Sequence, residues 1–136
     1  MDANAESRFI RNGDSVTVDP GGKYLVIQLI EKDNVRLVRV PLDGQSEEPL
    51  SFPGVRFAPV SFTARSIRTD GVILASLAVG AWDWQAALLH PGTGKVDRIS
   101  LPSSLDVHYS SWTPDGHILL AGYLTEAALW RFRITR

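Results

Sequence analysis

The 136-residue sequence contains no cysteine. Disulfides, cysteine-ligated zinc, iron–sulfur centres and thiol nucleophiles are therefore excluded. Histidine is scarce, with only His90, His108 and His117. No two of them stand at His-x-x-x-His spacing or join carboxylates in a metal-ligand pattern, so each reads as structural or solvent-facing. A basic excess is missing too: 14 Lys and Arg face 15 Asp and Glu, for a formal charge of −1. Nucleic-acid binders carry a basic surplus or stripe, so no nucleic-acid partner is expected. No apolar run approaches the roughly 18 residues of a membrane span. The polar opening, Met1–Ser7, lacks the apolar core of a signal peptide. The expectation is a cytoplasmic protein with no membrane partner.

Catalytic signatures are also missing. There is no Gly-x-Ser-x-Gly elbow and no Walker loop. His90-Pro91-Gly92-Thr93-Gly94-Lys95 offers Gly-x-Gly-Lys without the full spacing or a following helix, and reads as a hairpin turn. Glu31-Lys32-Asp33-Asn34 is too poor in alternating acidic residues for a calcium loop. The acidic pairs Glu47-Glu48 and Asp70/Asp83 have no spacing that defines a two-carboxylate site. Neither an enzyme nor a cofactor is expected.

What is present is a repeat. Hydrophobic residues make up 44% of the chain, enough for one globular domain. Three turn signals stand in matching contexts: Asp19-Pro20-Gly21-Gly22-Lys23, Arg68-Thr69-Asp70-Gly71-Val72 and Thr113-Pro114-Asp115-Gly116-His117. Aligned on Gly22, Gly71 and Gly116, they recur at 49 and 45 residues. Each precedes an apolar run, residues 24–30, 72–78 and 118–124, whose length and flanking turns predict strands buried on both faces. A third run follows in each unit, residues 35–40, 84–89 and 127–134, and an edge strand closes two units near 48–52 and 96–101. Ala86-Ala87 and Ala127-Ala128 admit a helix, but the windows are short and lie between strands, so strand is favoured. The sequence thus predicts an all-β domain of about three four-stranded antiparallel units, at 14–52, 60–101 and 107–136.

Thr113-Pro114-Asp115-Gly116-His117-Ile118-Leu119-Leu120 resembles the Ser/Thr-Pro-Asp-Gly-Lys signature of TolB-like and WD-repeat-like β-propeller blades. Asp19–Val26 is a close variant and Arg68–Leu74 a looser one without the proline. Trp112 before the turn and Leu129-Trp130 in the third run match further habits of such blades. The resemblance spans about residues 14–134 and implies a fold, a partial propeller, with no functional residue to carry over. Asp115 is expected to accept turn hydrogen bonds and Gly116 to supply a positive φ.

Propellers close with roughly 4–8 blades. The third unit ends after its third run, whereas residues 6–11 read as a spare outer strand before the first. Two copies exchanging that strand would complete a six-bladed ring with two-fold symmetry. The alternative is a segment of a longer propeller, such as a sensor domain of a bacterial kinase or a gating domain of a peptidase. A non-enzymatic interaction or ligand-binding module is the functional expectation, with a small lectin-like assembly as another reading. The candidate binding residues are Arg56, Arg65, Arg68 and Trp82. Trp82 and Trp84 share one side of their strand, where they pack between units or offer a stacking platform.

Overall fold

The computed structural model describes residues 8–32, 34–80, 83–101 and 105–124. Among them are nine strands and no helix. The first sheet runs β1 (Ser15–Val18), β2 (Tyr24–Glu31), β3 (Asn34–Pro41) and β4 (Glu48–Leu50). The second holds β5 (Ile73–Ala78), β6 (Trp84–His90) and β7 (Lys95–Arg98), and the third β8 (Leu105–Trp112) and β9 (Ile118–Leu124). Sheet order follows chain order and every pairing is antiparallel, so each sheet is a meander. The run 127–134 and residues 6–7 of the expected spare strand lie outside the described residues; residues 8–11 belong to no strand.

The turns that mark the repeat form as expected. Gly22, Gly71 and Gly116 have φ of 67°, 83° and 84°, a region closed to most side chains by their Cβ. Backbone bonds close the three turns, from Asp19 N to Tyr24 O at 3.0 Å, Arg68 N to Val72 O at 2.9 Å and Thr113 N to His117 O at 2.9 Å.

Alternation along each strand sets how the sheets stack. Val26 and Leu37 of the first sheet pack with Ile73, Ala75, Leu77, Ala87 and Leu89 of the second. On the opposite face, Leu74 of β5 and Val72 just before it pack against Trp112 and Ile118 of the third sheet. The second sheet is therefore sandwiched, and Ile73 and Leu74 are both fully buried. That is why the run 72–78 is apolar at every position but Ser76. The expectation of two buried faces fails for β9: Leu119 and Tyr123 are each 63% exposed. The second sheet covers only one of its faces.

The second unit also departs from four strands. In place of a first strand, residues 56–68 run beside β5 and touch it only at the bridges Phe57↔Leu77 and Ile67↔Ile73. The chain leaves the sheet after Ala58, whose N–H bonds Ser76 O, and rejoins it at Ser66, whose carbonyl accepts Leu74 N–H. Pro59 has no N–H to continue a ladder at the point of departure. The excursion ties the sheets together. Gln28 Nε2 donates to Ala58 O at 2.9 Å and Phe62 N to Ser15 Oγ at 2.7 Å, both from or to the first sheet. Thr63 Oγ1 donates to Ser110 O at 2.8 Å in the third.

Candidate functional site

All three repeat turns leave their sheets at one end, and a cleft of about 600 Å³ opens there. Pro20 of the first turn, Thr69 of the second and Thr113–Gly116 of the third line it. Arg65, Ile67, Arg68 and Trp112 supply the rest of its wall. The excursion sets two of these side chains. Trp112 N–H donates to Arg65 O at 2.9 Å, which fixes Arg65 beside the tryptophan. Arg68 sits at the turn itself, its N–H held by Val72 O.

The Arg68 guanidinium lies over the Trp112 ring, 4.7 Å from its centroid. Its Nε donates to Asp70 Oδ1 at 2.9 Å and its Nη2 to Asp70 Oδ2 at 2.7 Å. This fork lowers the Asp70 pKa below its ordinary value, and raises that of Arg68. Two of its five N–H groups are spent on the fork, so donors remain for a ligand. The stack and the fork hold the group in one orientation, which reduces the entropy lost on binding. Arg65 is exposed, and among the described residues its guanidinium makes no ion pair.

The third turn forms the far rim. Thr113 Oγ1 donates to Asp115 Oδ1 at 2.5 Å and accepts His117 N–H at 2.9 Å. The Thr113 hydroxyl first, and His117 second, hold the Asp115 carboxyl below its usual range. Asp115 therefore accepts a hydrogen bond within the turn, as the sequence predicts.

Arg65 and Arg68 are thus brought together, and Arg56 is not among them. The Arg56 carbonyl accepts Ala78 N–H at the far end of β5. Ala78 lies six residue steps along from Val72, a distance of about 20 Å. There Arg56 borders another depression, of about 460 Å³, with Glu31, Asn34, Phe57 and Trp84. Trp82 lies outside the described residues. Trp84 is half-buried and packs against His108 of the third sheet, ring centroids 4.6 Å apart and planes tilted by 50°, a contact between sheets. Asp106 accepts Trp84 N–H through Oδ1 and faces His108 Nε2 at 3.2 Å. In the sequence Trp112 reads only as the aromatic before a turn, with no sign of its place in the cleft. Its spacing of four from Gly116, matching that of Ile67 from Gly71, was the available signal.

No cluster of three or more His, Asp or Glu side chains capable of holding a metal occurs among the described residues. No helix among them is long and apolar enough to cross a membrane. Neither a protein-family model nor a curated protein matches this chain.

Proposed function

We propose that this chain is a binding module of β-propeller type, with the cleft at the turn end as its ligand site. The observation that carries this reading is the convergence of all three repeat turns on one cleft that holds an oriented Arg68 and an exposed Arg65. Stacked meanders in chain order are the arrangement blades adopt around a propeller axis, and the six-sheet ring of two copies follows from the same reading. The Thr113 hydroxyl and the Asp115 carboxylate are engaged with each other and with His117 in closing their own turn, so binding describes the cleft better than catalysis.

Arg65, without an ion pair among the described residues, and the donors that Arg68 keeps beyond its Asp70 fork favour a carboxylate seated away from Asp115 on the far rim. Pro20, Pro114 and the edge of Ile67 favour an apolar neighbour beside it. An acidic segment of a partner protein, with an apolar residue next to the acid, meets both demands. A sugar fits less well, because the Trp112 face on which it would stack is occupied by Arg68.

A displayed peptide library selected against immobilised chain tests the reading. Selected sequences should carry Asp or Glu and lose at least tenfold in affinity toward Arg65→Glu. Sequences that bind Arg65→Glu as well as the parent would refute it.

A further inference from the structure

At the end of the second sheet away from its repeat turn, β5 gives way to β6, and the β2–β3 hairpin of the first sheet reaches the same end. The depression of about 460 Å³ beside Arg56 lies between them. Small-molecule sites occupy about 300–1,000 Å³, so the space suits a compact ligand.

The aromatic walls are held in place from behind. Phe57 is bridged to Leu77, and its ring meets Phe52 edge-on with centroids 5.9 Å apart. Trp84 is fixed by the bond from its N–H to Asp106 Oδ1 at 2.9 Å and by its contact with His108. Pro59 and the buried Val35 add apolar surface. Ala78 and Gly80, with a methyl group and no side chain, leave the space between these walls open. Walls that are already ordered cost little further entropy when a ligand enters.

The rim carries charge. Lys32 and Arg56 are both exposed, and among the described residues neither makes an ion pair. Arg56 is anchored through its carbonyl, which accepts Ala78 N–H at 2.9 Å. Asn34 Oδ1 accepts Val35 N–H at 2.9 Å, which leaves its NH2 group as a further donor. Glu31, also on the rim, is already engaged: Nε and Nη2 of Arg36 both donate to its Oε1. Those bonds hold the Glu31 carboxyl below its ordinary pKa, so it keeps its negative charge at neutral pH.

We infer that this depression is a second ligand site, for a small organic monocarboxylate with a flat apolar body. Arg56 and Lys32 receive the carboxylate, and Phe57 and Trp84 cover the body by the edge and offset contacts that aromatic rings favour. A monoanion fits better than a phosphate because the Glu31 charge repels the ligand in proportion to the ligand's own charge. The site is separate from the turn-end cleft, since the two lie at opposite ends of β5.

Amide resonances of the full chain, titrated with phenylacetate, test the inference. A ligand of this size reaches roughly millimolar affinity, so additions to about 20 mM should saturate it. The amides of Arg56, Phe57, Ala78 and Trp84 should shift together along one binding curve. Acetate, which lacks the apolar body, should bind about tenfold more weakly. Arg56→Gln changes an exposed side chain and should weaken phenylacetate by about tenfold, with resonances elsewhere unmoved. Lys32→Gln should weaken it in the same direction. No saturable shift at these residues would overturn the inference, as would equal affinity of the parent and Arg56→Gln. Tighter binding of phenyl phosphate than of phenylacetate would overturn the monocarboxylate assignment. Shifts confined to Arg65, Arg68 and Trp112 would place the ligand in the turn-end cleft and refute a second site. Arg65→Glu should lose peptide binding and keep the phenylacetate shifts, and Arg56→Gln should do the reverse, which separates the two proposals.

Discussion

Leu74 and Leu119 occupy the same repeat position in different surroundings, and truncating each to alanine measures what a neighbouring sheet contributes. Leu74 is fully buried between the second and third sheets against Trp112, whereas Leu119 is 63% exposed. Leu→Ala at a fully buried site costs about 2–5 kcal/mol, through lost transfer energy and an incompletely collapsed cavity. An exposed site changes stability by about 0.5 kcal/mol or less. The difference between the two, at least about 1.5 kcal/mol, should appear as a lower urea midpoint for Leu74→Ala at unchanged slope. A domain of this size has about 5–15 kcal/mol in total, so Leu74→Ala removes a substantial share. Where it is too unstable to measure, Ile73→Val at the other buried face should cost about 0.5–1.5 kcal/mol. Equal midpoints for Leu74→Ala and Leu119→Ala would refute the stacking of the third sheet on the second.

A Cβ built on Gly122 meets the Asp106 carbonyl of the paired strand. Gly122→Ala should therefore push β8 and β9 apart and cost about 1–3 kcal/mol in chemical denaturation, while the open-sided Gly92→Ala should be near neutral. Asp70 is held below the ordinary carboxylate range of about 4 by Arg68. Its contribution is present above that range and is lost as pH falls through the lowered value. The partners are 39% and 53% exposed, so the pair stabilises by only about 0.2–1 kcal/mol. The stability gap between parent and Asp70→Asn should be constant from pH 7 to 5 and close below about pH 4; a gap that widens on acidification contradicts the assignment.

The strands that the sequence announced most clearly are those bounded by a positive-φ glycine. The run 118–124 coincides with β9, and the runs 24–30 and 84–89 fall within a residue of β2 and β6. Turn chemistry is local, and a glycine at φ near 80° can be read from four residues. Burial is not local. Residues 72–78 and 118–124 look alike as sequence, yet one lies between two sheets and the other is open on one side. The excursion at 59–65 was equally hidden: Pro59 forbids the ladder, but only the tertiary partners Ser15, Ser76 and Ser110 define where the detour goes.

The same distinction governs the candidate site. Arg56, Arg65 and Arg68 are neighbours in sequence, and grouping them assumed that nearness along the chain survives folding. A segment running beside a strand separates its ends by about 3.3 Å per paired residue, so Arg56 and Arg68 fall at opposite ends of β5. What collects a site in a repeat protein is the end of the sheet, because equivalent turns from every unit emerge there. The partner of Arg68 is accordingly Trp112, one repeat away and equivalent to Ile67, the residue just before Arg68. One unit contributes the guanidinium and its Asp70 clamp; the next contributes the ring that supports it. The cleft therefore exists only when the second and third sheets are stacked, which makes Leu74 a determinant of the site as well as of the fold.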